Sequence, residues 1–570
     1  MTRGNKKVLV GLLPSLLCIL TILLSACNSD KTSQTTNAAK APDSQQVFHY
    51  PIEAQQDFAT LDPALVQGLG DGYAIQLVFT GLVQLDNNGN VKDQLAQSHS
   101  VSQDGLTYTF HLRPNLKFSD GSPLTAHDVA YSINRTLLPA THSPVASYLK
   151  LIKGYADITK GTVPTLIGTS LIVQDDQTLS ITLGKKAAYF LYALTYPTSY
   201  VVEKSLIDKY GPKWTDHLTE GGGAGPFKVK SYIHSNTFNV LPNPNYYGPQ
   251  PALKEIDLPF SSDTETTYKN YKNRQYDRAL VPPPDLQDAQ KRADFYTGNG
   301  LKLFYISLNF LAKPLNNLEI RQALALAINK QLLADNFGQG ALIPTNNIVP
   351  KGMYGYNPNL KAPDGSTSLT GNQTQAKQLL AKGIQEEGYN NTGSMPLITL
   401  TSYTGNPASA KIVQAVADQW KTVLNINVRV NLIAPNLLRP QINTTTGNSS
   451  LQMWAASWQA DYPDPQDWLT TFFGSNQDNN NSNYGDKRNE GTSQQTAIQT
   501  QLNNADAEQN TAKRLSLYND AEQKLVNDVA WIPLYQPVFL IVQNPKVHGY
   551  KTNALQITDP DSWKDVYFTV

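Results

Sequence analysis

Few residues in this chain have the type and spacing to do chemistry. The clearest is the acid Asp461 in the run Trp458-Gln459-Ala460-Asp461-Tyr462-Pro463-Asp464-Pro465. It follows the apolar stretch Met453-Trp454-Ala455-Ala456, where a solvated acid is not expected. An acid among such neighbours needs a cation, because an unpaired buried charge is very costly. The alternatives are a structural partner within the chain, as a salt bridge or cap, or a charge carried by a ligand. Asp461 and Asp464 stand three residues apart with prolines nearby, and nothing supports the separation a glycosidase pair requires. No His-Glu-x-x-His, Gly-x-Ser-x-Gly or phosphate-binding loop occurs. The eight His residues are scattered, none at metal-ligand spacing from another. Gly223-Ala224-Gly225-Pro226 lacks the residues of a phosphate cradle and reads as a tight turn before a strand. Arg321, on a helix beside apolar neighbours, reads as a solvated or interlobe charge. Nothing assembles an acid, a base and a stabiliser, so binding is favoured over catalysis, with no cofactor and no metal.

A second reactive residue is Cys27. Arg3, Lys6 and Lys7 form a basic head, Val8 to Leu24 is apolar, and Leu24-Ser25-Ala26-Cys27 follows. That is the layout of an export signal over residues 1–26. Its ending resembles the lipobox of bacterial lipoproteins, in which the Cys thiol is acylated and the signal is cut before it. Several acyl chains, at about 0.8 kcal/mol per buried CH2, hold a soluble domain on a membrane. The resemblance implies a protein on the extracytoplasmic face of the cell membrane, periplasmic or cell-surface, lipidated on Cys27. The competing reading is an uncleaved anchor, since Val8–Leu24 is near the lower limit for a span.

The elements that must position Asp461 belong to a long chain. Its 570 residues exceed a single core, so two or three lobes are expected. Lys plus Arg and Asp plus Glu both number 46, and this zero net charge argues against a nucleic-acid partner. Of two Cys, Cys18 lies inside the signal, so the mature chain has no disulfide and is held by its cores. The 29 Tyr and 7 Trp suffice both to pack those cores and to line a cleft. Residues 27–46 are the lipidated Cys and a polar tether, with folded structure expected from Val47. Leu106–Leu112 alternates as a strand, Asp120-Gly121 turns, and Thr125 is an N-cap for a helix Ala126–Leu137. Leu318–Phe337, Ala376–Lys382 and Ala408–Leu424 read as helices and Ile426–Leu432 as a strand. Asn476–Asn489 reads as an exposed loop.

Several runs together resemble the family 5 extracellular solute-binding proteins, which serve peptide and nickel ABC importers. They are Val101–Arg113 with Lys117–Val129; Gly223–Val229 with Asn243-Pro244-Asn245-Tyr246-Tyr247; Asn309 with Leu318–Leu324 and Ala327–Lys330; and Trp458–Pro465. Ser143-Pro144-Val145-Ala146-Ser147-Tyr148-Leu149 looks like the oligopeptide-binding members. The resemblance implies an α/β, type II periplasmic-binding-protein fold: two lobes with mixed sheets, discontinuous domains and an inserted domain. Matching segments place domain I at 47–80, 201–302 and 536–570, domain II at 81–200, and domain III at 303–535. Closure about a hinge between lobes I and III would bury the ligand.

The same resemblance implies an oligopeptide ligand delivered to permease subunits with cytoplasmic ATPases by a monomeric carrier. It assigns Asp461 to the ligand's α-ammonium, with Trp458 and Tyr462 flanking it, and Tyr305 and Asn309 on a cleft-facing strand. Relatives can carry a basic residue where this chain has Ala455, so no partner for a ligand carboxylate follows. Two alternatives share the fold: a lipid-anchored peptide sensor or chaperone without transport, and a binder of another solute such as a sugar or metal chelate.

Overall fold

The computed structural model describes residues 39–570 except 54, 262, 405, 406 and 490. Cys27, the signal and most of the tether lie outside the described residues. The last residues assigned to the tether are packed. Gln46 is fully buried, and its amide donates to the carbonyls of Ala41 and Phe568 at 2.8 and 3.0 Å. Packed structure therefore includes residues several positions before Val47, because this amide ties the segment at Ala41 to the carboxy-terminal one at Phe568.

The fold is mixed α/β, built on three large sheets. Val47–His49, Ile52–Glu53, Phe227–Ile233, Thr237–Pro242 and Glu255–Ser261 form a five-stranded sheet with both parallel and antiparallel pairs. Gly223 and Gly225 lie just before its strand Phe227–Ile233. A Cβ on Gly223 would stand 2.2 Å from the Val78 carbonyl oxygen, so this turn needs glycine for close backbone approach. Ala96–Val101, Thr107–Leu112, Leu171–Asp175 and Thr178–Thr182 form an antiparallel four-stranded sheet. Helix Ala126–Leu137 packs on that sheet, with a capping box at its start. The Asp128 carboxylate accepts the Thr125 backbone N–H at 2.8 Å.

An eight-stranded sheet carries the rest. Its central strands are Lys302–Leu308 and Met453–Gln459, flanked by Ile398–Tyr403 and the 13-residue strand Trp531–Gln543. That long strand pairs with Lys302–Leu308 through Trp531 to Tyr535, and with Arg278–Leu280 and Phe295–Asn299 through Val538 to Gln543. One continuous strand thus joins two halves of the sheet.

Three sequence expectations change. Leu318–Phe337 is two helices, Leu318–Leu326 and Lys330–Gly338, because the Asn329 side chain accepts the Leu332 N–H and starts a new helix. Arg321 is not solvated. It is 1% exposed, pairs with Asp528 at 2.9 Å and donates to the carbonyls of Leu315 and Asn316. The Asn476–Asn489 loop is only partly exposed, with Asn481, Ser482, Asn483 and Tyr484 buried. Its side-chain amides replace the missing backbone ladder: Asn483 alone donates to Asn309 and to the Thr445 and Asn448 carbonyls.

Candidate functional site

The site grows from the alternation of two paired strands. Leu303, Tyr305 and Ser307 stand opposite Trp458, Ala456 and Trp454. On the other face Phe304, Ile306 and Leu308 join Met453 and Ala455 in the core beneath helices Leu318–Leu326 and Pro407–Leu424. The first face is left to floor a cavity of about 290 Å3 whose walls include six rings: Tyr305, Tyr403, Trp454, Trp458, Phe472 and Trp531. Tyr305 and Trp531 stack with centroids 3.5 Å apart and planes 12° apart. Trp458 meets Phe472 edge-on at 5.0 Å.

The edge of the same strand is open. Ile398–Tyr403 pairs with it only at Met453 and Trp454. From Ala455 to Gln459 that side has no strand partner among the described residues. Outward N–H and C=O groups on such an edge are ready to pair with an extended chain.

Asp461 lies just past this edge. The turn holding it is fixed by Asp467, whose Oδ2 accepts the Asp461 backbone N–H at 3.0 Å and the Trp458 indole N–H at 3.2 Å. The Asp461 side chain meets the Tyr148 hydroxyl, which comes from the loop structure around the four-stranded sheet. Tyr148 stacks on Tyr196 at 4.1 Å and 21°. No cation of the chain pairs with Asp461 among the described residues. Burial pushes its carboxyl up to about 7, opposed only by the Tyr148 hydrogen bond. Asp467 is raised as well, first by burial and then by the charge of Asp461. Two carboxyls and two phenols thus converge where no cation of the described residues reaches.

Asp464 has the opposite fate. Its oxygens accept both terminal nitrogens of Arg514 at 2.7 Å, and Oδ1 also accepts the Gln466 N–H at 2.9 Å. The structural salt bridge weighed for Asp461 is therefore made by its neighbour.

Of the residues named from sequence, Tyr305 and Trp458 line the cavity and Asp461 stands at the end of its open edge. Tyr462 faces the other way, buried against Tyr189 with planes 12° apart, and its hydroxyl donates to Gln466. Asn309 is fully buried. Its amide donates to the carbonyls of Asn448 and Leu451 at 2.9 Å and accepts from Leu311 and Asn483, so it braces loops. Sequence reasoning missed Tyr148, Tyr196, Asp467 and Trp531. Tyr148 lies inside the run Ser143–Leu149, where its presence was a signal, whereas Asp467 and Trp531 carried none. No cluster of three or more His, Cys, Asp or Glu able to hold a metal occurs among the described residues. No helix of the described residues is long and apolar enough to cross a membrane.

A mixed-sheet fold with a ring-lined cavity, an open strand edge and an acid that meets no cation of the described residues is suited to holding a solute. The pattern of the bacterial extracellular solute-binding proteins, family 5, matches residues 90–480, and the chain belongs to that family. It is 27% identical to the oligopeptide-binding protein OppA of Bacillus subtilis, over 94% of this chain and 95% of that one. Against the periplasmic oligopeptide-binding protein OppA of Salmonella typhimurium the identity is 30%, over 93% and 94%. Among solved structures, a periplasmic oligopeptide-binding protein of an oligopeptide ABC transporter from Borrelia burgdorferi superposes with a TM-score of 0.69. That alignment is 28% identical and covers 90% of this chain and 99% of that one.

Proposed function

We propose that this protein is the substrate-binding lipoprotein of an ABC importer, capturing oligopeptides outside the cytoplasm and handing them to a membrane permease driven by cytoplasmic ATPases. The observation that carries this reading is the open edge of Met453–Gln459 running into the unpaired Asp461. An extended peptide pairs its main chain along that edge, which gives affinity without reading side chains. Its α-ammonium then meets Asp461, with Tyr148 and Tyr196 as the aromatic walls that favour a cation. Trp458 and Tyr305 contact ligand side chains, while Tyr462 and Asn309 hold the surrounding segments. The domains are 47–80, 201–302 and 536–570, then 81–200, then 303–535. The strand Trp531–Gln543, crossing from the third to the first, is the hinge element. The carrier is a monomer.

The test is thermal unfolding and small-angle scattering with a set of tri- to hexapeptides. A saturating binder stabilises the fold by about 2.7 kcal/mol at a hundredfold excess over Kd and reduces the radius of gyration. Peptides should be recovered intact. If no peptide shifts the melting temperature, or if peptides are cleaved, the reading is wrong.

Anchoring rests on Cys27 in the Leu24-Ser25-Ala26-Cys27 ending. Cys27→Ala should leave the precursor unlipidated and uncut, with no incorporation of a fatty-acid probe in cells. Equal labelling of variant and parent would sink the lipoprotein assignment.

A further inference from the structure

Arg439 lies on the helix Pro435–Asn443 that walls the ring-lined cavity, and it is the one charged residue among those lining it. It is exposed, and no carboxylate pairs with it among the described residues. Leu438, next to it, packs on Trp454, which anchors the helix to the far end of the open edge. A guanidinium with its fork free, beside stacked rings and facing the place where a ligand chain would run, suits a carboxylate. Asn481 also lines the cavity, and its Oδ1 is buried with no donor among the described residues. A ring that carries an N–H or O–H on its edge would supply one.

We infer that Arg439 is the partner of the ligand's terminal carboxylate, and that the cavity beside it takes the side chain of a carboxy-terminal tryptophan or tyrosine. This rests on the peptide reading above and adds what that reading lacks: the residue that ends the ligand. It also bounds length. Trp454 and Ala456 stand seven and five positions before Asp461, about 16–23 Å along a strand. The Arg439 side chain shortens the gap, so a peptide of roughly four to six extended residues spans ammonium to carboxylate. The acid at one end and the guanidinium at the other also set the direction of the bound chain.

The test is calorimetry with tetra- to hexapeptides ending in tryptophan, each as the free acid and as the carboxy-terminal amide, against the parent and Arg439→Gln. The parent should bind the acid at least tenfold more tightly than the amide, about 1.4 kcal/mol. Because Arg439 is exposed, that preference should shrink with added salt. Arg439→Gln should bind acid and amide alike, at the level of the parent's amide complex, and replacing the terminal tryptophan by alanine should weaken both proteins equally. Equal binding of acid and amide by the parent, or discrimination that survives in Arg439→Gln, overturns the inference and leaves the peptide reading standing. Failure of every free-amine peptide to bind the parent overturns both.

Discussion

Asp461→Asn should fold as the parent does yet lose at least tenfold in affinity for peptides with a free amino terminus. The carboxyl meets no cation among the described residues and is held facing Tyr148 and Tyr196 by the Asp467 clamp on its own backbone. An ammonium entering this place loses its water, and a charge-assisted hydrogen bond to Asp461 offsets that loss. Removing one member of such a desolvated pair typically costs about 2–5 kcal/mol. Asn keeps the shape, so circular dichroism should be unchanged while calorimetry reports the loss.

A pH dependence goes with the same pair. The Asp461 carboxyl is raised by burial and faces Asp467, Tyr148 and Tyr196, none of them cationic. Below about pH 7 the empty site takes up a proton, while the bound ammonium requires the carboxylate. Affinity of the parent should therefore fall as pH falls, approaching about tenfold per unit, and binding should release a proton. In Asp461→Asn the slope between pH 5.5 and 7 should vanish. A variant that retains affinity and slope would remove Asp461 from ligand recognition.

The largest stability loss is expected from Arg514→Met. Arg514 and Asp464 are buried, with side chains 6% and 0% exposed. The pair ties the long helix Thr511–Asn527 to the segment that presents Asp461. Leaving Asp464 charged and unpaired in that interior costs about 3–5 kcal/mol. Denaturant unfolding should show it as a lower midpoint with an unchanged slope. Asp464→Asn combined with Arg514→Met should cost less than the sum of the single changes, because the two groups interact directly. A loss below about 1 kcal/mol for Arg514→Met would mean that solvent reaches the pair.

What was legible in the chain was local. The Thr125 cap and the helix after it follow from residues within one turn, and the turn at Gly223 follows from glycines beside a proline. Asp461 stood out because its own neighbours are apolar. The rest depends on approach over long separations. Tyr148 reaches Asp461 across more than three hundred residues, and Trp531 stacks on Tyr305 across more than two hundred. The salt bridge went to Asp464 rather than Asp461 because a distant helix brings Arg514 to one acid and not to the other. The Asn-rich loop misled in the same way. Its amides are polar as composition, yet Asn483 satisfies the carbonyls of Thr445 and Asn448 in another loop and so draws the segment inward.

Native mass spectrometry of the protein purified without denaturation tests the central claim most directly. The account predicts bound species that fragment as peptides of roughly four to six residues with unblocked amino termini, absent or strongly depleted in Asp461→Asn. A sugar, a metal chelate or an amino-terminally blocked peptide held equally by both proteins would contradict it.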